Sequence, residues 1–208
     1  SSLFSQNAPL IFEKYKELCP DLKIDWLQKV YQFYHADRNE KKQDYTPVSL
    51  AKLVAYLSCT SSEKIVYDCC SGSGALTIQK WSINPNLKFV CEELDEKVIP
   101  ILLFNLCIRN IEATVINKDI LTRKVICSYR TIKGSTYSSV QRLMFSEMEL
   151  LKADVAISNP PFNLKVPVSE NIIKALPQKY TCNFAFVAHC LQRSERCALI
   201  LPRGVLTS

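Results

Sequence analysis

The run Ser158-Asn159-Pro160-Pro161-Phe162 carries the most legible chemistry in this 208-residue chain. Two consecutive prolines can continue neither a sheet ladder nor a helix, so they hold the backbone in one extended shape. The apolar run Val155-Ala156-Ile157 ahead of them reads as a strand, which puts the motif at a strand exit. In that corner the Asn159 amide and the Pro160 carbonyl form a fixed pair of hydrogen-bond acceptors beside an aromatic ring, Phe162. The plainer alternative is a rigid loop with Phe162 in the core.

Three other strand ends carry polar groups. Asp68-Cys69-Cys70-Ser71-Gly72-Ser73-Gly74 follows the apolar run 65–67. Its two glycines let the backbone approach a ligand closely, and a helix start behind them favours a negative group. The dinucleotide fingerprint is not completed, because Thr77 stands where the third glycine belongs, so a nicotinamide enzyme is disfavoured. Glu92-Glu93-Leu94-Asp95 lies about 20 residues further on, where a carboxylate at a strand end accepts hydrogen bonds from ribose hydroxyls. Glu93 suits that role, and Asp95 reads as the cap of the next helix. In Asn117-Lys118-Asp119-Ile120, Asp119 could accept from an adenine amino group with Ile120 against the ring, or be an ordinary surface acid.

Alternating strands and helices must position these groups. Residues 8–36 read as helical, with apolar residues recurring on one face and then another. The charged stretch 36–44 is the candidate boundary between a helical extension, 1–44, and the main domain, 45–208. Thr46-Pro47 reads as a helix start, Thr as cap and Pro in the first helical position. Strands follow over 65–70, 87–94, 113–120, 153–158 and 197–201. Helices start at Gly74 and Asp95, and a further one covers 184–191. That alternation predicts an α/β fold, a parallel sheet with helices on both faces, whose ligands bind at the carboxyl ends of the strands. Between the third and fourth strand ends, residues 121–146 contain Arg123, Lys124, Arg130, Lys133 and Arg142 and no acid. This segment reads either as a flexible basic loop able to neutralise phosphates or as a solvated insertion.

Composition narrows the classes. Hydrophobic residues make up 48%, enough for a core, which excludes global disorder, and four glycines exclude collagen-like sequence. The net charge of +6 permits a nucleic-acid partner. The longest apolar run, Val98 to Ile108, is broken by Pro100 and Asn105 and falls short of the ~20 residues of a membrane span. Glu13, Lys14, Lys16 and Glu17 interrupt any leader-like apolar core near the start. The ten cysteines include no C-x-x-C pair, and there are two histidines, so no zinc or other metal site is expected. Cysteines within apolar runs, such as Phe89-Val90-Cys91, read as reduced core residues of a cytoplasmic protein.

Taken in order, TPVSLAKLV (46–54), DCCSGSG (68–74), CEEL (91–94), KDIL (118–121), SNPPF (158–162) and ALILPRGVL (198–206) resemble the N6-adenine DNA methyltransferases, including the modification subunits of type I restriction systems. The family often has Cys or Ala where Ser71 stands, and it normally continues into further strands and a target-recognition region, so the chain reads as C-terminally truncated. The resemblance implies the class I, Rossmann-like methyltransferase fold, S-adenosylmethionine as methyl donor and no metal. It assigns Thr46 to the methionine carboxylate, Asp68, Gly72 and Gly74 to the methionine pocket, Glu93 to the ribose, and Asp119 with Ile120 to the adenine. It implies that Asn159 and Pro160 accept the two N–H bonds of a flipped adenine, with Pro161 stiffening the corner and Phe162 stacking on the base. DNA is the implied substrate, with specificity and restriction subunits as partners. His189 is assigned a structural role. The same motif also serves methyltransferases acting on RNA bases or protein glutamine amides, and a non-catalytic assembly subunit is a third reading.

Overall fold

The structure, a computed structural model, describes residues 2–35, 46–144, 152–162 and 182–203. Its helices are α1 (Ser2–Leu18), α2 (Trp26–His35), α3 (Val48–Leu57), α4 (Ala75–Ile83), α5 (Ile99–Ile108) and α6 (Cys182–Arg193). Its strands are β1 (Ile65–Asp68), β2 (Lys88–Glu93), β3 (Glu112–Lys118), β4 (Val125–Ile132), β5 (Ser139–Leu143), β6 (Val155–Ser158) and β7 (Cys197–Leu199). They form one sheet in the order β5-β4-β3-β2-β1-β6-β7.

Period-two alternation sorts the strand residues into two apolar layers. Val66, Phe89 and Val155 face one way, against Ala51 of α3, Leu76 of α4 and Leu102 of α5. Tyr67 and Ala156, one residue along, face the other way, against Ala185 and Phe186 of α6. Helices therefore cover both faces, as the alternating pattern predicts.

The sheet is parallel through β3-β2-β1-β6-β7. Its order reverses at β1, which pairs with β2 on one side and β6 on the other. The turn after β1 and the proline corner after β6 are thereby brought side by side, at the place where open α/β sheets hold ligands.

Several local expectations change. The sheet is not wholly parallel, because β4 pairs antiparallel with β3 and β5 antiparallel with β4. Only 119–124 separates β3 from β4, too short for the crossover that a parallel neighbour needs. Arg123, with φ +62, turns the chain back. The basic segment is thus a hairpin over its described part, to residue 144, and not a flexible loop.

Thr46 is not the cap of α3. Pro47 takes that position, and the Thr46 hydroxyl is engaged by Asn159. Val98 rather than Asp95 precedes α5, while the Asp95 carboxylate accepts from the Lys97 N–H in the turn before it. The single run 8–36 is two helices, separated by residues 19–25 around Pro20, which cannot extend α1. The proposed boundary at 36–44 lies outside the described residues. The helical extension before it is docked: Phe12 packs edge-on against Phe104 of α5 at 5.2 Å, and Tyr15 does the same at 5.2 Å.

Candidate active site

At the carboxyl ends of β1, β2, β3 and β6 lies a cavity of about 660 Å³. Its walls bring together Thr46, Gly72, Glu93, Asp119, Ile120, Asn159, Pro160, Pro161 and Phe162. Nine of the residues singled out from sequence therefore share one space. Asp68 and Gly74 do not line it. They sit behind the turn, and three lining residues carry no sequence signal of a role: Gln28, Lys118 and Phe186.

Hydrogen bonds give the turn after β1 its shape. The Ser71 hydroxyl and N–H both donate to the Glu92 carbonyl, at 2.9 and 3.0 Å, and the Gly74 N–H donates to the Ser71 carbonyl at 2.8 Å. Gly72 and Gly74 have φ of +53° and +98°, where a side chain is strained. The Gly72 N–H donates to a Glu93 carboxylate oxygen at 2.8 Å, and the Asp95 N–H to the other at 2.8 Å. Burial pushes the Glu93 carboxyl above its usual range, with those two donors pulling against it.

Asp68 and Ser158 join the two neighbouring strand ends. The Ser158 hydroxyl donates to Asp68 Oδ1 at 3.1 Å and accepts the Cys70 N–H at 3.1 Å. Asp68 is fully buried, and that burial pushes its carboxyl well above the usual range despite those hydrogen bonds. Its role is to hold the turn from behind. Asp119 likewise commits one oxygen to its own turn, accepting from the Leu121 and Thr122 N–H groups at 2.9 and 3.3 Å.

The proline corner is tied to the segment before α3. Asn159 Nδ2 donates to the Thr46 hydroxyl at 3.0 Å, which fixes the amide's orientation across 113 residues of sequence. Pro160 is buried, and Pro161 and Phe162 are half-buried along the cavity wall.

Beneath the cavity, Glu92 is a buried hub. Its carboxylate accepts from Tyr67 Oη at 2.7 Å and Lys118 Nζ at 3.1 Å. It also contacts His189 Nε2 at 3.2 Å and Arg193 Nη2 at 3.5 Å. Burial alone would raise its pKa, but His189, Lys118 and Tyr67 outweigh that and bring it to about 2. His189, with Nε2 also 2.6 Å from Tyr67 Oη, belongs to this support. Among the described residues no cluster of His, Cys, Asp and Glu could hold a metal, and no helix is long and apolar enough to cross a membrane.

The donor set suits a nucleoside joined to an amino acid. Carboxylates Glu93 and Asp119 in its wall suit hydroxyl and amino groups. The Ser73 hydroxyl, 95% buried and without a partner among the described residues, stands at the start of α4. The volume falls within the ~300–1,000 Å³ of small-molecule sites.

Switch-point cavity, glycine turn and proline corner together define a Rossmann-like fold of the methyltransferase type. Over residues 23–208 the chain matches the family described as N-6 DNA Methylase, and it belongs to that family. A curated relative, the type I restriction enzyme MjaVIII methylase subunit of Methanocaldococcus jannaschii, is 23% identical over 211 residues, covering 92% of this chain and 34% of the relative. The methyltransferase subunit of a type I restriction-modification system from Streptococcus thermophilus superposes with a TM-score of 0.57 at 21% identity, covering 78% of this chain and 35% of that one. A Pyrococcus horikoshii protein assigned to the RNA methyltransferases gives 0.51 at 18% identity, covering 80% and 67%. Both likenesses are of fold. The chain spans about a third of the length of the type I relatives.

Proposed function

We propose that this chain is the catalytic part of a DNA methyltransferase that moves a methyl group from S-adenosylmethionine to the N6 amino group of adenine. The observation that carries this reading is the shared cavity of the Gly72 turn and the Asn159–Phe162 corner, at adjacent strand ends. Family membership favours DNA over the RNA-base and glutamine-amide alternatives. The M. jannaschii relative is named a subunit of a type I restriction enzyme, and on that likeness this protein works with specificity and restriction subunits.

S-adenosylmethionine, when bound, supplies a sulfonium-activated methyl group. The chain's residues supply alignment and charge stabilisation. Thr46, the Gly72 turn, Glu93, Asp119 and Ile120 hold the donor, while Asp68 and Gly74 keep the turn in shape. An adenine in duplex DNA must leave the stack to enter, which costs a few kcal/mol. Stacking on Phe162 and the new hydrogen bonds offset that cost. The Asn159 amide oxygen and the Pro160 carbonyl accept the two N6–H bonds. This pulls the nitrogen lone pair out of conjugation and stabilises the positive charge that grows on it. Pro161 keeps the two acceptors in register. Once the N6–carbon bond has formed and the sulfur–carbon bond has broken, the nitrogen loses one proton to water. The exposed Arg123 and Lys124, between β3 and β4, and Arg142 on β5 are the groups we assign to DNA phosphates.

Tritiated-methyl transfer to DNA, RNA and protein, followed by digestion of the product, tests this assignment. Label recovered in N6-methyladenine from DNA is expected. Label only in RNA or in protein moves the function to that acceptor. Donor binding with no transfer to any of the three makes the chain an assembly subunit.

A further inference from the structure

We propose that the amino-terminal helix α2 completes the donor site. Gln28 is the hydrogen-bond donor that holds the carboxylate of the donor's amino-acid end, at the start of α4. This rests on the methyltransferase reading and adds a binding residue to it.

Gln28 is 93% buried and lines the cavity together with Ser73 and Ala75, far from it in sequence. Its position is set by a buried polar chain. Asp25 Oδ1 accepts the Gln28 N–H at 2.9 Å and Asn105 Nδ2 at 3.0 Å. Asn105 Nδ2 also donates to the Ser73 carbonyl at 2.9 Å, so the first turn of α2 is linked to the glycine turn through two side chains. Arg109 locks the arrangement, donating to the Asn105 side-chain oxygen at 2.9 Å and to the Leu22 and Ile24 carbonyls ahead of α2. These bonds offset the cost of removing water from the network, although Asp25 Oδ2 is buried without a partner among the described residues. Such a network holds α2 in one place against the turn.

What converges on that corner is a set of donors. Helix α4 starts at Ala75 behind Gly74, whose lack of a side chain leaves the first N–H groups uncapped. The Ser73 hydroxyl is 95% buried and has no partner among the described residues. Thr46 accepts from Asn159 and retains its own hydroxyl proton to donate. The Gln28 amide adds two N–H groups. Glu93, Asp95 and Asp119, also in the cavity wall, repel a carboxylate and suit ribose hydroxyls and an amino group. This division of donors and carboxylates orients the ligand: its carboxylate towards Gln28 and Ser73, its nucleoside towards Glu93 and Asp119.

Two ligands separate this role from a structural one. S-adenosylhomocysteine carries the amino-acid end, and 5′-methylthioadenosine has the same nucleoside and thioether without it. Calorimetric titration of both into the wild-type protein, Gln28→Met and Gln28→Glu tests the assignment, with melting temperatures checked alongside. Gln28→Met, nearly the same size but without a donor, is expected to weaken S-adenosylhomocysteine about tenfold. Gln28→Glu, which sets like charges together, is expected to weaken it further. Methylthioadenosine affinity should stay within about twofold throughout. Unchanged S-adenosylhomocysteine affinity in both variants, or equal losses for the two ligands, overturns the inference alone. If the wild-type protein binds neither ligand, the methyltransferase reading falls and the inference with it.

Discussion

Ser158 and Asn159 are neighbours with opposite tasks. Ser158, buried, ties β6 to the turn after β1, whereas Asn159 reaches the cavity and is steadied by Thr46. Asn159→Ala removes an acceptor for the amine without touching the turn. It should leave S-adenosylhomocysteine affinity within a few-fold of wild type while lowering the transfer rate by roughly 10²–10³. Equal loss of both in calorimetry and single-turnover transfer would put Asn159 in the donor site instead. Glu92 makes a prediction about acid. Its folded pKa is near 2 against an ordinary 4.5, so its stabilising contribution is complete above about pH 4.5 and is lost as pH falls towards 2. That contribution is about 3 kcal/mol. Asp68 and Glu93, held high, titrate with the opposite sign, so the wild type must be compared with a variant. Glu92→Gln should melt lower at neutral pH, because Lys118 and Arg193 lose their carboxylate. Its stability should also fall less steeply than wild type between pH 4.5 and 2 in urea titrations. Parallel curves would remove Glu92 from the acid response.

At the scale of elements, the glycine turn couples sequence to site most tightly. A Cβ on Gly72 meets nothing within 4 Å, so Gly72→Ala carries only the strain of its positive φ, on the order of 1–2 kcal/mol. A Cβ on Gly74 would also come within 3.0 Å of Leu102 Cδ1, a buried side chain of α5. Gly74→Ala should therefore destabilise more than Gly72→Ala in chemical denaturation, and the reverse order would contradict this geometry. The five parallel strands and the helices between them were legible because their apolar runs are flanked by turn residues. Hairpin β4–β5 was not, because its exposed basic residues hide the alternation of Val125, Cys127 and Tyr129. Thr46 and Asp95 have the local sequence of helix caps. A partner at position 159 claims the first, and a tight turn engages the second three residues ahead of the capping position, Val98.

Over the whole molecule, the site depends on segments far apart in the chain. The motifs after β1, β2, β3 and β6 could be found in sequence, since a strand end followed by Gly, Glu, Asp or Asn-Pro-Pro announces itself locally. Gln28 and Phe186 could not. They lie on helices whose apolar patterns speak only of packing, and the topology alone brings them to the cavity. The family match beginning at residue 23 likewise takes in α2, across the charged stretch that suggested a boundary. The most direct test of the account is a crystal structure of the protein with S-adenosylhomocysteine. The account predicts the ligand across the ends of β1, β2 and β3, its sulfur between the Gly72 turn and Asn159 and its ribose on Glu93. A ligand bound elsewhere, or an Asn159 side chain turned away from the sulfur, would contradict it.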